Sequence, residues 1–385
     1  MSKIKRNSSI EILKIIGIIL IVTSHVVQTL STKANPFITS TDYVLNLSTG
    51  STDAQHIILS MMKYCGTLGN TIFFVCSAWF LLDSNKVNKR KIFLMLAEIW
   101  TVSVLILVVV LFLREGNLHR ILVAASLLPS TFGNNWYLNC YILFYAIHPF
   151  LNHLIDNSGK RTLFRISVIM VFLYFVVAFT TRLSSHLYGI GNTFFSSPLI
   201  IWIAIYFIIA YQKKYLTGLS SSRIFSFILI IVGFIGNYGL ILLTNYLELN
   251  SALLNNSLAI WNEAYNPFII SLVLGLFNLA KTNTFSNKGI NYIAKLSMYI
   301  YIIHENILLR TLYRPLMWNY IYTNYGYDHV LRWTLVLVTI IVCFSFISSV
   351  LYYQCLHKPV CKLCDKAYPI ISGIWRATEN KLIQQ

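Results

Sequence analysis

Apolar residues run through this chain in blocks, not in alternation. Windows of about twenty apolar residues, the length a helix needs to cross a bilayer, recur at 10–30, 57–82, 91–113, 136–155, 163–181, 194–211, 224–246, 260–280, 291–309 and 329–354. Short polar stretches separate them. The pattern predicts an all-α, polytopic integral membrane protein with about ten transmembrane helices. No repeat of fixed period and no low-complexity linker breaks it, so the chain reads as one transmembrane domain over 1–356 and a short cytoplasmic tail over 357–385.

The first block carries the most informative exceptions: Glu11, Lys14 and His25 within an otherwise apolar run. A charge at the centre of a membrane helix costs roughly 2.5–3.5 kcal/mol on insertion scales, so such residues are seldom idle. Lys14 and His25 are eleven residues apart. At about 100° per residue that is three turns plus roughly 20°, so they share a face some 16 Å apart along the axis. Glu11 stands one turn before Lys14 on nearly the same face. Each residue alone is explained by snorkelling to the nearer interface. Three on one stripe favour a polar track through the bundle, with a general base near neutral pH at its outer end.

Composition agrees with the pattern. Of 385 residues, 56% are hydrophobic and 11% charged, against about 25% charged in soluble domains. The net charge of +17 could suggest nucleic-acid binding, but its distribution gives a topological explanation. With the N-terminus inside, twenty of the thirty Lys and Arg fall in inner segments and their flanks, seven in outer ones, and Lys14, Lys63 and Lys295 within spans. That alternation predicts both termini in the cytoplasm. Helix 1 then runs outward, with Lys14 in the inner half and His25 near the outer face. His304 and Glu305 of the ninth block reach the same outer depth. The N-terminus resembles a signal peptide in outline but lacks a small-residue cleavage site and reads as a retained span. Cys65, Cys76, Cys140 and Cys343 lie in apolar runs and read as small core residues.

Other polar positions are less specific. His304 and Glu305 project about 100° apart on a helix, so at least one must face the bundle interior. Gly66, Gly69 and Ala78 suit close helix packing, and Lys63 suits snorkelling. Asn134, Asn135 and Trp136 form an interface anchor or a sugar-stacking edge. Glu98 is a lone acid in the inner half, to be paired with a neighbouring base. Asn262, Glu263, Tyr265 and Asn266 gather at the depth of His25, and the polar loop 31–56 is a connector or a gate. In the tail, Cys355, His357, Cys361 and Cys364 would suit zinc by type, but their spacing is tight and reduced cytoplasmic thiols are the default.

Four segments together resemble the membrane acyltransferase-3 family. They are Glu11-x-x-Lys14 with His25 eleven residues beyond; Phe73-Phe74-Val75-Cys76-Ser77-Ala78-Trp79-Phe80; Trp136-Tyr137-Leu138 with His148-Pro149-Phe150-Leu151-Asn152; and Tyr299-Ile300-Tyr301-Ile302-Ile303-His304-Glu305-Asn306 leading to Arg310. Lys14 stands where the family has Arg or Lys, and Ala78 and Trp79 replace Gly and Phe. The resemblance implies an O-acetyltransferase of the bacterial plasma membrane. It would use acetyl-CoA from the cytoplasm, without a metal, to acylate a hydroxyl of an extracytoplasmic or capsular polysaccharide or its lipid-linked precursor. It would be a short form without an extracellular esterase-like domain. On this resemblance His25 and Glu11 are catalytic, Lys14 and Ser77 contact the acyl donor, and His304, Glu305, Arg310, Asn135 and Trp136 bind the acceptor or support His25. Direct attack with His25 as base and an acyl-histidine intermediate both remain open. A glycan-precursor transporter or flippase without chemistry, or a structural subunit of a polysaccharide-synthesis complex, are the rival readings.

Overall fold

The computed structural model describes residues 6–30, 45–113, 118–131, 135–181, 197–250 and 265–383, with side chains to Gly373. Lys3, Lys5, Lys33, Arg114, Arg182, Asn134, Asn262, Glu263 and most of the loop 31–56 lie outside that set. The described chain is helical, with no strand. Hydrocarbon offers no partners for backbone N–H and C=O groups, and a helix satisfies them within itself.

Six described helices are long and apolar enough to cross a membrane: Ser8–Leu30, Ala54–Leu81, Lys89–Leu113, Lys160–Thr181, Arg223–Asn250 and Tyr327–Cys355. The elements are α1 (Ser8–Leu30), α2 (Ala54–Leu81), α3 (Lys89–Leu113), α4 (Arg120–Leu127), α5 (Trp136–Asn157), α6 (Lys160–Met170) and, after a π-helical stretch Val171–Ala178, α7 (Pro198–Tyr215). Then come α8 (Thr217–Ser221), α9 (Arg223–Phe234), a π-turn Ile235–Gly239, α10 (Leu240–Asn250), α11 (Pro267–Thr282), α12 (Lys288–Lys295), α13 (Ser297–His304), α14 (Arg314–Tyr325), α15 (Val330–Cys355) and α16 (His357–Ile383). Every apolar window read from the sequence falls on one or more of these helices.

The centre of the bundle is the α1–α2 pair. A Cβ built on Gly69 would stand 2.5 Å from the Gly17 carbonyl oxygen, and one on Gly66 2.5 Å from Ser24 Oγ. These glycines therefore serve close backbone approach, as the sequence predicts. Val22, Val26, Val27, Phe74 and Val75 are fully buried around that contact. The outer helices instead present apolar side chains outward: Phe112 is 86% exposed on α3 and Phe150 65% on α5. In a protein whose surroundings are lipid, such exposure is solvation by hydrocarbon, and the fold is that of a multi-pass membrane protein.

Two elements depart from what the sequence predicts. The connection after the ninth apolar block is not an outer loop: it folds into α14, which buries Arg314 and Trp318. The tail is the long helix α16, clipped to α3 by an Arg90–Asp365 ion pair of 2.5 Å.

Candidate active site

α1 brings His25 to the end of α13, 279 residues later in the chain. His25 Nδ1 lies 3.0 Å from His304 Nε2 and 2.9 Å from Glu305 Oε2. Adjacent helical residues could not both reach one imidazole, but α13 ends at His304, and Glu305 has already left helical geometry with φ −99° and ψ 10°. Both side chains are thereby buried and both face His25. The Asn306 side-chain oxygen accepts from Leu308 N at 3.0 Å and restarts the chain beyond the break.

The hydrogen bonds assign the tautomers. His304 Nδ1 lies 2.8 Å from the Ile300 carbonyl, so this nitrogen donates and Nε2 is left as an acceptor. His25 Nδ1–H then donates to His304 Nε2, and Glu305 Oε2 stands 2.9 Å from the same nitrogen as a charge neighbour without hydrogen-bond geometry. The lone pair of His25 falls on Nε2, the nitrogen directed away from both partners. A neutral imidazole held this way is a base with its charged form already provided with a carboxylate neighbour.

Two arginines hold that carboxylate. Arg310 donates to Glu305 Oε1 at 2.8 Å, and the Arg314 guanidinium lies 3.6 Å from Glu305 Oε2. Arg314 also donates to the His25 carbonyl at 3.1 Å and to the His304 carbonyl at 2.5 Å, joining the ends of α1 and α13. Trp318 Nε1 donates to the Val26 carbonyl at 3.0 Å from the same helix. Arg314 and Trp318 were not legible as site residues; Arg314 read as one more outer-loop cation.

An aromatic wall flanks the cluster. The Tyr301 ring lies 6.5 Å from that of His25 and 5.9 Å from that of Tyr137, which packs 5.0 Å from Trp202. Tyr301 Oη, Asn70 Oδ1 and Asn135 Oδ1 are buried in this region of α2, α5 and α13 without a hydrogen-bond partner among the described residues. Buried polar atoms of this kind await a polar ligand or water. Asn135 is thus buried as a polar group, whereas Trp136 is 40% exposed and it is Tyr137 that reaches Tyr301. An apolar groove of about 790 Å³ runs from His304 and Arg314 past Ile303 and Val102 to Tyr352 and Cys355.

The other residues named from sequence gather at the opposite end of α1. Glu11 pairs with Lys14 at 3.4 Å. It stands fourteen residues from His25, on the order of 21 Å along the axis, so the structure separates Glu11 from the histidine pair. Ser77 hydrogen-bonds Tyr141 in this half. Around it the structure assembles a basic set that the sequence left scattered. Lys213 and Lys281 lie over the Trp79 ring at 4.9 and 4.6 Å, and Lys91 stacks over Tyr145 at 4.8 Å. Lys213 also pairs with Asp83 at 2.7 Å. Lys63 bonds Ser48 Oγ at 2.8 Å, and Asn266 bonds Asn237 at 2.8 Å.

Among the described residues, two groups have donor atoms close enough for a metal ion: His25 with His304 and Glu305, and Glu98 with His357 and Cys361, each set within 4.8 Å. In the first, two guanidiniums already occupy the carboxylate and oppose a cation.

An acyltransferase-domain family model matches residues 7–354. No curated protein and no solved structure matches the chain.

Proposed function

The chain belongs to the membrane acyltransferase-3 family, and from that premise we propose that it is an O-acetyltransferase. It moves an acetyl group from cytoplasmic acetyl-CoA to a hydroxyl of an extracytoplasmic polysaccharide or its lipid-linked precursor. Ten spans with both ends in the cytoplasm, in a bacterial plasma membrane, accommodate the charge distribution of the sequence. The observation that carries the reading is the contact of His25 Nδ1 with His304 Nε2 and Glu305 Oε2, at 3.0 and 2.9 Å.

In this mechanism His25 Nε2 takes the proton of the acceptor hydroxyl as its oxygen attacks the thioester carbonyl carbon. The tetrahedral intermediate collapses, the C–S bond breaks, and the proton passes from His25 to the departing CoA sulfur. Glu305 stabilises the imidazolium that forms between these steps, and Arg310 and Arg314 keep the carboxylate in place. His304 fixes the ring orientation. A neutral base near operating pH contributes on the order of 10²–10⁴-fold.

The donor enters at the other end. The anionic groups of CoA bind the basic set of Lys14, Lys91, Lys213 and Lys281, with Trp79 offering a ring face, and the pantetheine arm follows the α1 stripe outward. Lys14 acts here as a point charge, lacking the bidentate fork of Arg. Glu11 orients Lys14 instead of taking part in proton transfer. Asn70, Asn135 and Tyr301 offer hydrogen bonds to the acceptor, and the apolar groove at His304 suits the hydrocarbon chain of a lipid-linked precursor.

The test is acetyl transfer by the purified full-length protein in nanodiscs, supplied with labelled acetyl-CoA and a surface-glycan precursor. Wild type releases CoA and labels the glycan; His25→Ala, at equal yield and monodispersity, does neither. Undiminished transfer by His25→Ala overturns the assignment.

A further inference from the structure

The second donor cluster lies in the inner half of the molecule and plays no part in the chemistry above. Glu98 projects from α3 and is 2% exposed, buried among apolar neighbours. His357 opens α16, and its Nδ1 lies 2.5 Å from Glu98 Oε1. Cys361 Sγ approaches the same nitrogen at 3.9 Å. Cys364 follows one turn later and is 4% exposed. At about 100° per residue, positions 357, 361 and 364 fall within an arc of about 60° around α16, so all three share the face turned to α3.

We infer that Glu98, His357, Cys361 and Cys364 form a structural zinc site that fastens α16 to the transmembrane bundle. The ligand types are those of zinc: two thiolates, an imidazole and a carboxylate, borderline-soft as a set. Tetrahedral zinc with ordinary bond lengths needs donor atoms about 3.3–3.8 Å apart. Glu98, His357 and Cys361 already lie within 4.8 Å of one another; Cys364 is outside that set and, one turn further along the same face of α16, is the residue assigned as the fourth ligand. Cys355, the fourth ligand that the sequence would suggest, is exposed at the end of α15. Glu98, distant in sequence, replaces it.

The surroundings suit such a centre. Tyr299 Oη donates to Glu98 Oε1 at 2.8 Å, the outer-sphere hydrogen bond that orients a ligating carboxylate. The Tyr353 ring stacks on His357 at 4.6 Å and 22°, fixing the imidazole plane. Two thiolates and a carboxylate around Zn²⁺ leave one net negative charge. The outer histidine cluster differs on this point: its carboxylate is held by guanidiniums, while the described partners of Glu98 are the Tyr299 hydroxyl and the His357 ring.

The experiment uses the full-length protein carrying no polyhistidine tag, purified in detergent, loaded with zinc sulfate and passed through a desalting column. Elemental analysis by mass spectrometry is expected to give one zinc per chain, falling to background in Cys361→Ser and His357→Ala and retained in His304→Gln and Cys355→Ser. Cobalt substitution of the wild type is expected to give thiolate-to-metal charge-transfer absorption, and this readout needs no variant. Tyr299→Phe is expected to weaken zinc affinity about tenfold or more. Absence of zinc from the loaded wild type overturns the proposal, as does a Cys361–Cys364 disulfide in place of the metal. Retention of zinc by a monodisperse Cys361→Ser overturns it equally.

Discussion

The molecule contains two buried clusters in which a histidine meets a glutamate, and they differ in what surrounds the pair. In the outer cluster, His25 faces Glu305 at 2.9 Å, and Arg310 and Arg314 approach the carboxylate at 2.8 and 3.6 Å. In the inner cluster, His357 faces Glu98 at 2.5 Å, with Tyr299 and two thiols around it and no guanidinium among the described partners of the carboxylate. Guanidiniums supply a carboxylate with countercharge, an arrangement that suits a neighbour acting as a base. Thiols and a phenol leave the charge to be balanced by something else. The same two residue types therefore suit proton transfer in one place and a metal ion in the other.

The comparison breaks first at His25. His25→Ala is expected to lower acetyl transfer by about 10²–10⁴-fold, whereas His357→Ala should leave the proton-transfer step intact; equal losses in an initial-rate assay would erase the distinction between the clusters. Removing the acids sharpens it. Glu305→Gln leaves Arg314 buried without its countercharge and is expected to destabilise by about 3–5 kcal/mol. Glu98→Gln, in the zinc-free protein, alters the hydrogen bonds to Tyr299 and His357 and should cost about 1–3 kcal/mol. Thermal unfolding in detergent with a chelator and no zinc measures both, and a larger loss in Glu98→Gln would reverse the ordering.

His25 is carried by α1, which packs closely on α2. Gly69→Ala puts a methyl 2.5 Å from the Gly17 carbonyl oxygen and is expected to cost about 1–3 kcal/mol. Gly218→Ala, with nothing within 4 Å of the new Cβ, is expected to be neutral in the same melts. At the inner end, Lys213→Gln and Lys281→Gln are expected to raise KM for acetyl-CoA severalfold with kcat nearly retained, because they remove charge from donor binding and not from the chemistry. The smallest effect is at the outer rim. The Tyr327 hydroxyl holds the Asp53 carboxyl below its ordinary value, so the stability it contributes is complete above about pH 4 and is lost as the pH falls further, through the lowered value. Tyr327→Phe should flatten that part of the stability–pH curve, and an unchanged curve would remove Asp53 from the account.

Much of this was legible in the sequence because it depends on local period and composition. The helical class, the positions of the apolar blocks and the shared face of Lys14 and His25 follow from a fixed rise and rotation per residue and from the insolubility of bare backbone in lipid. The glycines at 66 and 69 announced close packing for the same kind of reason. The pairing of His25 with His304 was expected only as a shared depth.

The tertiary structure decided which residues meet. It ended α13 at His304, so that two neighbours in sequence could face one imidazole. It turned an apparent outer loop into α14, bringing Arg314 to the carbonyls of His25 and His304. It drew Lys213 and Lys281 to the Trp79 ring and Lys91 to the Tyr145 ring, and laid α16 along α3 so that Glu98 met His357. None of these contacts has a sequence period, since each joins segments tens to hundreds of residues apart. Lys14 and His25 belong to one helix and were placed by its geometry alone; the residues that surround His25, namely His304, Glu305 and Arg314, come from another part of the chain, and only packing of the bundle could bring them there.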